Sequence, residues 1–332
     1  MAITQVVGGV SLPASKWLTA ITTLINDIRF RRNLTTTETM NKVVESAKVG
    51  NVDFGKGIIY DVVLGRQPVS DLSETSSLLS IKKPALGQEI IAIDNYKVIQ
   101  LSLNEVLQRQ SATGGDMVNS FLGYVRSIMD YTLNAHYYEL VVGLINGWTP
   151  VQTKQTKEIE IEDVSALSGD EARKAMKANT EKIFGEIRML SNNLQTPQNG
   201  YTDVATYTDP NDGTTKNIET CIDRDDLVLY INDEFYTDYL KTASSLYHDE
   251  KLGGMLPNKV VPIPQASITN ANKDVVGWLC YEKKYAFADF YRLTQSFFDG
   301  STLYENMFLH FAYGAGVFEY APGIKIKTKV AE

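Results

Sequence analysis

Apolar side chains recur at spacings of three and four between Asp116 and Asn146: Val118, Phe121, Leu122, Val125, Ile128, Met129, Leu133, Tyr137, Leu140, Val141 and Leu144. That spacing gathers them along one stripe of an α-helix. No proline interrupts it, Gly114 and Gly115 precede it, Asp116 sits where the helix dipole favours an acid, and Gly147 follows. At its full length such a helix is about 46 Å long, more than the diameter of a small domain, and reads as a spine on which other elements hang. A second stripe, Trp17, Leu18, Ile21, Leu24, Ile25 and Ile28, predicts a helix over 14–30 with one sticky face. One helix cannot bury that face alone, so it must pack on the rest of the chain or on a neighbour.

The period changes over residues 57–101. Ile58, Ile59, Val62, Val63 and Leu64, and later Ile90, Ile91, Ile93, Val98 and Ile99, are the β-branched or apolar residues that strands favour. The segment from Pro68 to Pro84 between them is polar and rich in Ser and Thr. Its length excludes a tight two-residue turn, so the two runs predict a long hairpin arm. Connections of that length are uncommon within compact domains and usually functional or disordered.

Glu158, Glu160 and Glu162 alternate with Ile159 and Ile161, the signature of a strand wet on one face and of a solvated edge that discourages wrong pairing. Ser168 stands at the cap of a further helix, with Asp170 and Glu171 in its first turn and Ala172, Met176, Ile183, Ile187, Leu190 and Leu194 along it. Residues 196–220, rich in Thr, Asn, Asp and Gly, predict a loop or a hairpin turning at Asp212 and Gly213. Asp226–Ile231 reads as a short apolar strand, with Asn232 and Asp233 capping a helix that carries Phe235, Tyr239 and Leu240. Val260–Pro264 is extended again, and the last hundred residues hold aromatic side chains at strand-like spacing. Helices and strands mix without regular alternation, which makes the fold α+β.

Composition narrows the function mainly by exclusion. The chain has 332 residues, 43% hydrophobic and 22% charged, with a formal net charge of −8. A compact fold of this size hides about 75% of the surface of its unfolded chain, enough for a large core without metals or disulfides. Cys221 and Cys280 are too few for a disulfide framework and too far apart in sequence for a zinc or redox motif, so a reducing compartment is expected. The first lysine is Lys16, which leaves the amino terminus without the basic patch of a signal peptide. No apolar run approaches the roughly 20 residues that span a bilayer. A pI near 5.1 argues against a protein that grips phosphates, and the compact basic group Arg29, Arg31 and Arg32 reads as the solvated end of a helix.

Candidate chemistry is sparse. The three histidines, His136, His248 and His310, fall in no nucleophile-base pattern. His136 and Glu139 lie one turn apart on the spine helix, but two ligands without a third read as a packing pair. Gly50 to Lys56 has the spacing of a phosphate-cradling loop, yet Gly57 stands where Ser or Thr should hold magnesium, and the match reads as chance. Asp209, Asn211 and Asp212 beside Gly213 suggest a calcium loop, but the glycine comes one place early and no glutamate closes the site, so a turn is the plainer reading. No catalytic residue, cofactor or metal is expected. The 18 tyrosines, and aromatics at 10%, suit large protein-protein surfaces as well as any pocket.

The order of elements, taken with short local matches, resembles the major capsid protein of tailed double-stranded-DNA bacteriophages. Leu101–Leu107 is similar to the strand-end step before that family's spine helix, and Val142–Gly147 to the glycine-terminated end of that helix. Asp226–Phe235 resembles the axial domain's strand, polar cap and aromatic-bearing helix, and Gly254–Pro257 with Val260 and Val261 its Gly-Leu-Pro-Val-Val turn. Trp278–Ala286, then Asn306, Met307 and Ala321–Ile326, look like the strands that follow. The chain departs from the family at Phe311, Ala312, Tyr313 and Gly314, where charged residues are common.

The resemblance implies an amino-terminal arm over 1–54, an extended loop over 55–112, a peripheral domain with the spine helix over 113–167, an axial domain over 168–302 and a return to the peripheral domain over 303–332. It implies a structural protein of the virion, assembled in the host bacterial cytoplasm. Its subunits form hexamers and pentamers of an icosahedral head around double-stranded DNA, with a separate scaffolding protein and a portal and without a membrane. Leu72, Leu78, Leu79, Lys82 and Lys83, at the tip of the hairpin arm, are the expected intersubunit contact. Two other readings stand beside this one: a cellular encapsulating shell of the same fold, and an α+β enzyme or ligand-binding protein with a pocket around His248 or Tyr281.

Overall fold

The computed structural model describes residues 4–7, 10–13, 37–49, 52–53, 58–64, 86–104, 115–150, 153–165, 167–197, 200–208, 213, 215–245, 256–302 and 304–330. In chain order the elements are β1 (Thr4–Val7), β2 (Val10–Pro13), α1 (Glu38–Ala47), β3 (Val52–Asp53), β4 (Ile58–Leu64), β5 (Leu86–Ala92), β6 (Asn95–Asn104), α2 (Gly115–Gly147), β7 (Thr156–Ile161), α3 (Gly169–Gln195), β8 (Asp203–Thr208), β9 (Thr215–Glu219), β10 (Leu227–Asn232), α4 (Asp233–Ser245), β11 (Lys259–Ile263), β12 (Val275–Tyr281), β13 (Tyr285–Asp299), β14 (Tyr304–Val317) and β15 (Gly323–Val330). They divide into two compact units, one of residues 1–41, 94–139 and 289–313, the other of 42–93, 140–288 and 314–332.

The second unit is organised by a five-stranded mixed sheet in the order β11-β10-β12-β15-β7. The apolar run of β10 is buried along its whole length, as an unbroken apolar strand must be when both faces are covered. One face, carrying Leu227, Leu229, Ile231, Leu279, Ile324 and Ile326, packs on the stripe of α3 formed by Ile183, Phe184, Ile187, Leu190 and Leu194. Each of those side chains, withdrawn from water, contributes about 1.5–3 kcal/mol. Next to Leu229 and Leu279 in the strands, Tyr230, Trp278 and Cys280 are buried on the alternate positions, and the Tyr230 hydroxyl meets the Ser46 hydroxyl of α1 at 3.0 Å. The end of α2 is tied to this unit by amides: Asn146 Nδ2 donates to the Ser267 carbonyl at 2.9 Å, and Asn272 Nδ2 to the Asn146 carbonyl at 3.0 Å. Lys325 Nζ completes the chain of bonds by donating to Asn272 Oδ1 at 2.7 Å.

The two runs of strand residues form the expected antiparallel hairpin, with Ile59 opposite Ile91 and Val62 opposite Gln88 in β4 and β5. The second run then parts at Ile93 and Asp94. β5 stays with β3 and β4, whereas β6 joins β14 and β13 in a separate three-stranded sheet. The hairpin is held at its base by Glu89, whose carboxylate accepts the backbone N–H groups of Glu319 and Tyr320, each at 2.9 Å. Beside it, Lys284 is fully buried and donates to the carbonyls of Phe318 and Ala321.

Several expectations hold and several are corrected. α2 spans 115–147 as the helical stripe requires, and Glu158 and Glu160 lie exposed on β7, an edge of the five-stranded sheet. β8 and β9 form the expected hairpin, with Gly213 at φ +67 in its connection. Ser168 does occupy the cap of α3 but makes no side-chain bond there, and Gly169 behind it takes φ +61. Met176 and Leu240 are exposed rather than buried. The expected closing segment 303–332 divides: residues up to 313 fall in the first unit, and β15 lies inside the five-stranded sheet. The helix over 14–30 and the hairpin tip with Leu72, Leu78, Leu79, Lys82 and Lys83 lie outside the described residues.

Candidate intersubunit surface

Among the described residues, the first unit leaves a group of large apolar side chains open to water. β6 and β14 run antiparallel with Lys97 opposite Phe311, Ile99 opposite Leu309 and Leu101 opposite Met307. Met307, Leu309, Phe311 and Tyr313 share one face and are buried. Phe311 and Tyr313 stand edge-on to two rings of α2, His136 and Tyr137, with centroids 5.5–6.0 Å apart. Such tilted pairs add about 0.5–1.5 kcal/mol each beyond their burial.

The polar atoms along this seam are paired. His136 Nε2 and the Tyr313 hydroxyl share a hydrogen bond of 3.1 Å. The Tyr137 hydroxyl donates to Asp289 Oδ1 at 3.2 Å, and Asp289 in turn holds Arg292 at 2.5 Å. Burial, and then the charge of Asp289, raise the Tyr137 pKa and keep the phenol protonated as a donor. His136 is therefore a packing residue, but its partner is Tyr313 and not Glu139, which stands exposed where the sequence suggested a packing pair. Among the described residues no group of three or more His, Cys, Asp or Glu could hold a metal ion.

The opposite face of the sheet is different. Tyr96 is 73% exposed, Val98 51% and Phe297 64%, with Leu293 also open to water. Phe308 and His310 stack on this face with centroids 6.1 Å apart. An open groove of about 440 Å³ runs between Tyr96, Val98, Leu293, Gln295 and His310. Leu293, Gln295 and Phe297 alternate along β13 and so share a face. β13 is the outermost strand of its sheet, and every residue from Arg292 to Phe298 is exposed. A smaller apolar pair, Val62 and Ile90, is exposed on one face of the β4–β5 hairpin. Apolar patches of this kind are a common feature of protein-protein surfaces.

The remaining sequence candidates do not assemble into a site. Gly50 and residues 54–57 lie outside the described residues, and the element that follows them is strand β4, where a phosphate loop needs the start of a helix. Asp209, Asn211, Asp212 and His248 also lie outside the described residues, and Tyr281 packs against the core of the five-stranded sheet. The exposed face of the three-stranded sheet was not foreseen from the sequence. Its residues have the same alternating pattern as a buried strand, and only their exposure marks them.

Residues 20–327 match the family model of the Phi29-like phage major capsid protein. The chain belongs to that family. Its fold is that of tailed-phage capsid proteins, and the Phi29-like family places this chain as a structural protein of the virion that self-associates in a shell. A chain from the capsid structure of Staphylococcus phage Andhra is 11% identical, with a TM-score of 0.61 over 89% of this chain and 86% of that one. A chain from the head structure of Helicobacter pylori bacteriophage KHP40 is 8% identical, with a TM-score of 0.51 over 89% of this chain and 93% of that one. At such identities the likeness is one of fold. No curated protein matches this chain in sequence.

Proposed function

We propose that the subunits associate as hexamers and pentamers that close into an icosahedral head around double-stranded DNA, without catalytic turnover. In this reading the head is built in the host bacterial cytoplasm on a separate scaffolding protein and joined to a portal. The observation that carries the reading is the family match over nearly the whole chain, supported by an apolar sheet face that a solitary subunit leaves in water. The acidic balance of the chain suits a container, since a strongly basic wall would hold packed DNA too tightly. Residues 1–54 serve as the arm and 55–112 as the extended loop, which ends in β6; α2 with β13 and β14 forms the peripheral part, and the five-stranded sheet with α3 the axial part.

Negative-stain microscopy with light scattering on the purified chain, expressed with and without its genomic neighbours, tests the reading. Closed shells or six- and five-membered rings are expected. A stable monomer or dimer under both conditions would overturn it. Leu72, Leu78, Leu79, Lys82 and Lys83 are the proposed contact at the loop tip. Deleting residues 71–80 is expected to stop shell formation, and normal shells from that variant would remove the contact.

A further inference from the structure

We propose that β13 pairs edge to edge with β13 of a second copy, antiparallel, across a local two-fold axis that stands on Gln295. The inference rests on the reading of the chain as a self-assembling shell protein and adds the surface by which two subunits meet. Among the described residues no strand lies outside β13, and its residues 292–298 are exposed on both faces. An edge strand of this kind presents unpaired N–H and C=O groups that invite another strand. Soluble proteins blunt such edges with lysine, proline or short length, but the segment Arg292–Asp299 contains neither lysine nor proline and ends a strand of 15 residues.

Symmetry limits the register. A two-fold axis between antiparallel edge strands stands normal to the sheet and leaves every side chain on its original face. Residues that face each other across the axis must therefore differ by an even number, because side chains alternate with period two. With Gln295 on the axis, Leu293 lies opposite the partner subunit's Phe297 and Thr294 opposite the partner subunit's Ser296. Gln295 meets itself, and Arg292 lies opposite the partner subunit's Phe298. With Ser296 on the axis, Leu293 would instead face the partner's Asp299 and Thr294 the partner's Phe298. With Thr294 on the axis, Leu293 would face the partner's Gln295. The Gln295 register sets Leu293 against an aromatic ring and Thr294 against a hydroxyl, whereas the other two set Leu293 against a carboxylate or an amide. It also continues the strip of Val98, Leu293 and Phe297 from one subunit to the next without bringing like charges together.

The test is cysteine cross-linking in assembled shells with exposed Cys221 replaced by Ser. Gln295→Cys faces itself across the axis at a distance a disulfide spans, so mild oxidation is expected to convert most subunits to covalent dimers. Leu293→Cys alone and Phe297→Cys alone stand four residues from their own copies and are expected to stay monomeric. Leu293→Asp combined with Phe297→Asp, checked for an unchanged circular dichroism spectrum, is expected to lower shell yield about tenfold or more through like-charge repulsion. Normal shells from the double Asp variant, or shells in which Gln295→Cys fails to cross-link, overturn the pairing and leave the container reading standing. If the unmodified chain forms no rings or shells, the container reading fails separately. In that case a Gln295→Cys dimer formed by the soluble chain upholds the pairing, and its absence overturns it.

Discussion

The ammonium of Lys284 lies 4.7 Å from the centre of the Trp148 ring. The same nitrogen donates to the carbonyls of Phe318 at 3.1 Å and Ala321 at 2.6 Å, so one buried cation joins the start of β13 to the turn before β15. Burial pulls its pKa below the ordinary lysine value. Lys284→Met keeps the bulk of the stem but leaves two buried carbonyls without their donor, at an expected cost of about 2–4 kcal/mol. Urea unfolding followed by tryptophan fluorescence measures the loss. A midpoint equal to that of the unmodified chain would mean that the lysine contributes only volume.

Glu89 sets a pH dependence. Burial raises its pKa above the ordinary 4.5, against the two N–H donors of Tyr320 and Glu319 and the charge of Lys284, which lower it. The native state therefore keeps this proton to a higher pH than the unfolded chain does. Between 4.5 and the raised value the unfolded chain binds fewer protons, so this group's contribution to stability falls as the pH rises through that window and is level above it. Glu89→Gln abolishes that slope. Stability measured from pH 4 to pH 7 is expected to show the unmodified chain losing ground to the variant as the pH rises, and a change in the opposite sense refutes the assignment.

Gly277 stands opposite Ile231 at the centre of the five-stranded sheet, where the Tyr230 carbonyl oxygen fills the place of a Cβ and Ile231 Cα lies 3.2 Å away. Both obstacles are backbone. Gly277→Ala is expected to force β10 and β12 apart and cost about 3 kcal/mol. Gly185, within α3, has open space where its Cβ would be, and Gly185→Ala is expected to stabilise by about 0.5–1 kcal/mol. Thermal melting of the two variants should move in opposite directions.

The two thiols differ in reach. Cys280 is buried, and burial pushes its pKa up to about 12, so an alkylating reagent finds neither access nor thiolate. Cys221 is exposed. Iodoacetamide is expected to add once to the native chain, at Cys221, and twice after unfolding in urea. Labelling of Cys280 in the native chain would show that the sheet opens at β12.

What the sequence revealed follows the range of the interactions involved. The period of α2 repeats along a helix of 33 residues and survives any single ambiguous residue, and the alternation of Glu158, Ile159 and Glu160 marks β7 in the same local way. The break between β5 and β6 was invisible because Ile91, Ile93 and Val98 have strand-forming side chains whichever sheet they join. Partnership decides it, and the partner of Val98 is His310, more than two hundred residues away. α1 is short, and its signal is slight: a long bond of 3.4 Å from the Met40 N–H to the Thr37 hydroxyl, and Val43 and Ala47 one turn apart. The exposed edge at Leu293 and Phe297 was missed for a related reason. Composition cannot distinguish a residue that awaits a partner chain from one already in a core.

The position of β15 bears on how the subunit is made. It lies between β12 and β7, strands synthesised before it, so neither has a neighbour on its inner side until β15 leaves the ribosome. A nascent chain that has passed Tyr281 but not reached Gly323 therefore holds β7 unjoined to β11, β10 and β12. A product truncated before Gly323 lacks the strand that joins β12 to β7 and cannot close that sheet.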